Sequence, residues 1–512
     1  MKKVFIYILI GLLGCSILSS CREDVLDTMP TDAMSGNNLL ANAKVALVPL
    51  NGIYRSFYTA GWSTTGNTHQ CFGISAYNLV ADVMGEDLIM ASMGSGWFWY
   101  DVVYDVKSAY TSTAWRSYDL WNAYYTWVSN ANYILAAEET MTGETEDKNY
   151  VIGQAYAIRA YAYFMLAQSF ARTYKGHENE PCCPIYTKPT AAGTAGNPRS
   201  TVAQVYQRIT DDINEAVKLL EKTKRQHVSH IGYDVALGIQ ARIALVMEDW
   251  NLALSAAEKA IEATGAKILP VESFKGVNDA SAGNVMWGAS IIADQSGMYA
   301  GFFTHMDHDA GYYGKSALKQ INKTLYNKMG TNDGRRAWWD PNSELNKAGG
   351  YQQEKFKFRD IQTWLGDYIW MRVEEMYLTA AEAACHQGNK DDVAKGYLMQ
   401  LMAMRDAGYQ TNKSGNNLAS LTSTETGSLL EEIITQRRIE LWGEFGRIYD
   451  IRRLKQGFRR TLEMGWPEDA LLGNRPTDNP ESYMWVHTIP QKEFDGNENL
   501  NQTVDQNPVG DK

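Results

Sequence analysis

The chain has no long run of basic residues. Lysine and arginine total 48 against 59 aspartates and glutamates, a net charge of −11, and no local cluster offsets that balance. A polyanion is therefore a poor partner, and nucleic-acid binding is excluded as the main function. Cysteine is scarce as well: there are six in 512 residues. Of these, Cys71, Cys182, Cys183 and Cys385 lie beyond the N-terminal segment. They form no C-x-x-C pair and no Cys/His ligand spacing, so neither a metal site nor a cofactor follows from them. The G-x-S-x-G and H-E-x-x-H patterns of familiar hydrolases are missing. What the chain does have is apolar and aromatic residues, 45% and 12%, enough for a substantial core.

One apolar run stands out near the start, residues 4–18, preceded by Lys2 and Lys3 and followed by Ser19, Ser20 and Cys21. It is shorter than the roughly 20 residues a spanning helix needs, and reads as a signal peptide over 1–20. Leu18-Ser-Ser-Cys21 looks like a bacterial lipobox, with Leu12-Leu-Gly-Cys15 as a rival. Cys21 is preferred, because strongly polar sequence begins right after it and because cutting at Cys15 leaves a short apolar stretch. Diacylation at Cys21 gives the two lipid chains that stable anchoring needs. Residues 21–38 then read as a lipidated tether, and Arg22-Glu23-Asp24 is similar to acidic signals that send such lipoproteins to the cell surface.

Beyond the tether the pattern is mostly helical. Residues 115–139 and 150–174 read as amphipathic helices, the second rich in alanine and tyrosine. Thr201 and Gln204 make a capping box for a helix with Val202, Val205, Ile209, Ile213, Val217 and Leu220 on one face. Over 231–264, Ala241, Ala253 and Ala260 fall in the small-residue slots of a tetratricopeptide repeat, with Trp250 in its aromatic slot. Residues 370–405 repeat that texture. The last long helical stretch, 428–457, opens on a second capping box, Ser428 with Glu431. It carries Arg437, Arg438, Glu440, Glu444, Arg447, Asp450, Arg452 and Arg453 on the faces away from its apolar stripe, as a salt-bridged lattice would.

Residues 269–368 break the helical pattern with glycine, aspartate, asparagine and unphased aromatics. A long irregular region in a compact body usually carries function. Sugars are held by flat aromatic rings against their C–H faces, with amides and charged groups on the hydroxyls. The candidates are Trp97, Trp99 and Tyr100 in the Gly-flanked segment 93–100, where an extended backbone puts Trp97 and Trp99 on one side. Tyr299 and Phe302 follow, together with Phe303, Tyr312 and Tyr313; then Trp338 and Trp339; and Trp62 as an outsider. Gly314-Lys315-Ser316 mimics the end of a phosphate loop, but Asp309 replaces its first glycine and Asp307 is close, so it reads as a helix start. Asp307-x-Asp309-x-Gly311 has the opening of a calcium loop, yet Leu318 stands where the bidentate glutamate belongs. His305 and His308 lie in a region with little helical pattern, and no metal is expected. For a glycoside hydrolase, Asp82, Glu86, Asp87, Glu374 and Glu375 are the carboxylate candidates.

Residues 437–457, RRIELWGEFGRIYDIRRLKQG, closely resemble the C-terminal signature of the SusD/RagB-like family of surface glycan-binding lipoproteins. Residues 155–174 and 368–384 resemble two of its helices. Thr331-Asn-Asp-Gly-Arg335-Arg336 resembles its DxRR-type turn, and Ile489-Pro-Gln-Lys-Glu493 with Gln506-Asn507-Pro508 its terminal motif. Phe445 departs from the pattern, standing where the family has a small residue. The resemblance implies a mostly α fold: a tetratricopeptide-like scaffold with an inserted irregular ligand-binding region, as one domain over 39–512. It implies a non-enzymatic receptor that captures a glycan and hands it to a SusC-like TonB-dependent outer-membrane transporter, held at the outer membrane by its lipid. It also strengthens the choice of Trp97 and Trp99. A surface glycoside hydrolase and a tetratricopeptide-like peptide-binding adaptor are the competing readings.

Overall fold

The computed structural model describes residues 39–60, 67–105, 111–191, 193–296 and 301–509. The signal peptide, Cys15, Cys21, the tether, Trp62 and Tyr299 lie outside the described residues. The fold is mostly helical. After α1 (Ala43–Ser56), α2 (Ile74–Val83), β1 (Leu88–Met90) and the short α3 (Trp99–Val102), five long helices run in succession: α4 (Trp115–Ala136), α5 (Thr145–Phe170), α6 (Val202–Leu220), α7 (Tyr233–Met247) and α8 (Trp250–Ala263). Each packs on the next, and α8 then packs on α11 (Val373–His386), which pairs with α12 (Asp391–Met402). This is the expected array of tetratricopeptide-like pairs. The α7–α8 hairpin shows why small residues are needed, because Ala241, Ala253 and Ala260 are all fully buried where the helices approach. Trp250 stacks on His386 of α11 with centroids 3.8 Å apart, joining one pair to the next. The Thr201–Gln204 capping box is complete.

The irregular region is built around two small antiparallel sheets. β2 (Val285–Ala289) pairs with β6 (Tyr368–Arg372). β1 joins β3 (Lys319–Ile321), β5 (Tyr351–Gln353) and β4 (Trp339–Asp340) in the order β1-β3-β5-β4. The β2–β6 ribbon is nailed to the helices by aromatic edges: Trp287 and Trp370 meet at 5.0 Å, and both meet Phe57 after α1. The Trp287 indole donates to Ser229 O at 2.9 Å, so the ring is buried without an orphan donor. Two short helices, α9 (Phe302–Met306) and α10 (Tyr312–Ser316), sit between β2 and β3.

The C-terminal stretch is not one helix. It divides into α13 (Leu429–Glu440) and α14 (Arg447–Arg453), separated by Gly443 at φ +77° and Gly446 at φ +102°. A Cβ at Gly443 would fall 2.7 Å from the Phe356 ring, and one at Gly446 2.7 Å from Ala81 Cβ. The break lets Trp442 turn inward and donate to Asp87 O at 2.9 Å. Ser428 caps α13, but the Glu431 carboxylate reaches past it to the Gly427 and Thr426 N–H groups, so the second box is not reciprocal. The charge lattice exists, and it is interior rather than solvated. Glu440 accepts from Arg405 at 2.8 Å and from Arg372 at 3.1 Å, and Glu444 binds Arg372 at 2.7 Å and Lys355 at 2.6 Å, all essentially buried. Phe445, the departure from the family pattern, lies 4.3 Å beneath the Arg242 guanidinium.

Candidate functional site

Where the loop before α2, the 93–100 segment, α10 and the 354–366 loop meet, aromatic rings converge at the surface. Tyr312 is 48% exposed and packs on the half-buried Trp364 with centroids 4.9 Å apart. Trp364 in turn meets the edge of Phe358 at 5.6 Å. Further along, Trp97 stacks on His69 at 4.9 Å and 9°, and Tyr313 meets Trp97 edge-on at 6.1 Å. Tyr313 shares a 2.8 Å hydrogen bond with His69 Nδ1. The Trp97 indole N–H is buried with no acceptor among the described residues.

Local sequence explains these placements. Asp360 folds the 360–365 turn: its carboxylate accepts the Gln362 N–H at 2.9 Å and the Thr363 hydroxyl at 2.7 Å. Asp360 and Leu365 then exchange backbone hydrogen bonds, which leaves Trp364 at φ +58° on the tip. Tyr312 follows Gly311 and sits at φ +40°. A non-glycine residue held left-handed costs on the order of 1–3 kcal/mol and persists only when its surroundings over-determine it. Two such residues touching each other at the surface mark a built feature. Gly94 permits the 93–100 segment to dock here, since a Cβ would lie 2.8 Å from Ser316 O.

Polar groups border the rings. The Lys357 ammonium lies 2.7 Å from Asp309 and 2.8 Å from Glu354, and His308 Nε2 is 2.8 Å from Glu354. His308, Asp309 and Glu354 could serve together as metal ligands, but Lys357 already holds the position between the two carboxylates. Burial opposes ionisation of Asp309 and Glu354, yet Lys357 at Asp309, and His308 with Lys357 at Glu354, outweigh it and hold both below the usual carboxylate range. Both are ionised acceptors, unsuited to be the protonated acid of a glycosidase. Below the rings, burial and the Lys319 charge lower the His305 pKa to about 3. Neutral His305 donates to His69 O at 2.7 Å and stacks on Tyr313 at 4.9 Å, fixing the floor.

The sequence-selected residues divide between this surface and the interior. Trp97 belongs to it, and Tyr100 is 43% exposed on the same segment. Trp99 is buried. The segment is not extended: Phe98 at φ +64° turns the chain into α3, so Trp97 and Trp99 do not share a face. Phe302 is buried against Phe356 at 5.0 Å. Trp338 and Trp339 are buried too: Arg335, anchored by Asp333 and Glu440, pulls the turn inward, and Trp339 meets Trp442 at 5.5 Å. Gly314-Lys315-Ser316 ends the five-residue α10. Trp364 and Lys357 were not singled out by the sequence; a tryptophan before Leu-Gly in the irregular region was the only signal. The hydrolase carboxylates are all tied to arginines or buried. Glu86 and Asp87 pair with Arg438 and Arg447, Glu374 with Arg372 and Arg405, and Glu375 with Arg242. Asp82 lies buried beside the Arg447 N–H.

Two family models match the chain. One, described as starch-binding associating with outer membrane, matches residues 76–245, and one for the SusD family matches residues 290–508. Among solved structures, the chain is similar to a SusD-like carbohydrate-binding protein of Bacteroides vulgatus. The two are 26% identical, with a TM-score of 0.77 over 90% of this chain and 98% of that one. It shares the fold of a SusD superfamily protein of Bacteroides thetaiotaomicron (21% identity, TM-score 0.74, 91% and 100% covered). It shares it too with surface glycan-binding protein A of Bacteroides thetaiotaomicron, solved in complex with laminarihexaose (17% identity, TM-score 0.67, 91% and 99% covered). No curated protein sequence matches significantly.

Proposed function

The chain belongs to the SusD/RagB family, and on that premise we propose that it is a non-enzymatic surface receptor that captures an oligo- or polysaccharide. The observation that carries this reading is the Tyr312–Trp364 pair: two strained residues at the surface, Tyr312 exposed and Trp364 half-buried, flanked by the ionised Asp309, Glu354 and Lys357. Their faces suit the C–H faces of pyranose rings, and the flanking charges suit hydroxyls. Trp97 and Tyr313 extend the surface, with Tyr100 at its edge. A relative of the same fold holds laminarihexaose, which supports the ligand class without fixing the sugar.

One domain over 39–512 stands on a lipidated tether from Cys21 at the outer membrane and passes its glycan to a SusC-like TonB-dependent transporter for nutrient uptake. No helix among the described residues is long and apolar enough to cross a membrane. Beside a transporter, modest single-site affinity suffices, because tethering raises the effective concentration.

Affinity electrophoresis of the full chain through gels of soluble glucans, mannans and xylans tests the site. At least one polysaccharide should retard the wild type, and the Tyr312→Ala/Trp364→Ala variant should lose affinity by tenfold or more, about 1.4 kcal/mol or above. Unchanged retention in that variant would move the site elsewhere.

A further inference from the structure

Away from the aromatic patch, and sharing no residue with it, a cleft of about 410 Å³ opens between α4, residues 186–191 and 194–196, and α15 (Gln491–Gly496). Its volume lies within the range of small-molecule sites. Tyr118, Trp121 and Tyr125 line it from successive turns of α4, where i, i+3 and i+7 share one face. Trp121 and Tyr125 lie 4.8 Å apart, and Tyr186 meets Tyr125 at 5.9 Å and 75°. The rings are locked: the Tyr125 hydroxyl donates to Pro184 O at 2.6 Å, and the Tyr186 hydroxyl accepts the Asn197 N–H at 3.1 Å.

Glu493 supplies the polar wall. One of its oxygens accepts the Trp121 indole N–H at 3.0 Å and the other accepts from Asn497 at 2.8 Å. Among the described residues it makes no ion pair. Each carboxylate oxygen can accept a further bond. A larger cleft of about 540 Å³ beside Lys328 and Glu425 has no aromatic lining and is edged by their ion pair, which suits water better than a ligand.

Aromatic faces beside a carboxylate fit either an ammonium ligand or a polyhydroxylated ring. The charges decide between them. The Lys492 ammonium already lies over the Tyr118 ring, 4.3 Å from its centroid, so the lining carries one positive and one negative group. An incoming cation would meet Lys492, whereas a neutral ring meets no opposing charge. We propose that this cleft is a second carbohydrate subsite, taking a neutral pyranose ring against Tyr118, Tyr125 and Tyr186 with its hydroxyls on Glu493 and Asn497. The proposal rests on the glycan-receptor reading above and adds a separate site to it.

The test uses the full chain labelled at its tryptophan indole nitrogens, with Trp121 and Trp364 assigned by substitution. The probes are the methyl glycosides of glucose, mannose, galactose and xylose, together with laminarihexaose. At least one sugar should shift the Trp121 indole signal saturably. Tyr118→Ala should weaken that response about tenfold while leaving the Trp364 response intact, and Tyr312→Ala should do the reverse. Glu493→Gln, which keeps the side-chain shape, should also weaken sugar binding at Trp121 and covers the case in which Tyr118→Ala does not fold. A Trp364 signal that responds while Trp121 stays silent overturns the second subsite alone. So does a Trp121 shift unaffected by both variants, or one produced by tetramethylammonium and not by sugars. If neither tryptophan responds to any glycan, the receptor reading and the subsite fall together.

Discussion

Trp97 and Trp364 belong to the same surface but were not equally legible. Trp97 follows Gly94 and Gly96 in a segment that reads as presented, and it lies half-buried at the surface. Trp364 owes its position to a left-handed backbone and to the Asp360 turn, and neither has a periodic signature. Trp338 and Trp339 show the converse. They look like binding residues in an irregular stretch, but the Asp333–Arg335 turn directs them behind the buried Glu440; a long-range ion pair decides their fate, and no local pattern reports it. Asp82 gives a prediction at this scale. Burial lifts its carboxyl to about 8, against the Arg447 N–H and the Lys355 charge, which lower it. The native state therefore keeps a proton that the unfolded chain releases near about pH 4. Stability is undiminished below that pH and is lost progressively as pH rises towards 8. Asp82→Asn should remove this loss, so its melting temperature should gain on wild type by at least ~2 °C between pH 5 and pH 8. A difference that does not change with pH would contradict the assignment.

Among the elements, the tetratricopeptide-like pairs were readable because their packing needs small residues at fixed intervals, and Ala241, Ala253 and Ala260 supply them. The break between α13 and α14 was not. Apolar spacing continues from Ile439 through Tyr449, and only tertiary crowding of Gly443 and Gly446 against Phe356 and Ala81 requires the turn. The same turn buries the lattice that ties α13 to β6 and α11. Removing one partner from a buried network leaves uncompensated charge and costs about 3–5 kcal/mol. Arg372→Met removes the cation that Glu440 and Glu444 share, leaving Glu440 to Arg405 and Arg335 and Glu444 to Lys355 alone, so chemical denaturation should report a loss of that order. A loss below about 1 kcal/mol would mean that the lattice behaves like a solvated surface network.

For the whole molecule, the helical array and the small sheets form one continuous hydrophobic core from Ala43 to Ile489. The rings of the proposed platform lie on a loop and on the short α10, at the surface of this body, as binding residues commonly do. The family was legible from the 437–457 signature, which proves to be interior scaffold rather than binding surface. The tether adds an outcome of its own. Cys21→Ala should leave the protein unacylated and in the soluble fraction after cell disruption, whereas membrane retention of that variant would assign lipidation to Cys15.

Tyr312 and Trp364 form the proposed glycan platform. A crystal structure of the full chain with the tightest-binding oligosaccharide from the electrophoresis panel tests it most directly. The expected result is a pyranose ring in van der Waals contact with those two rings and hydroxyls hydrogen-bonded to Asp309, Glu354 or Lys357. A glycan bound elsewhere with the Tyr312–Trp364 face bare would contradict it.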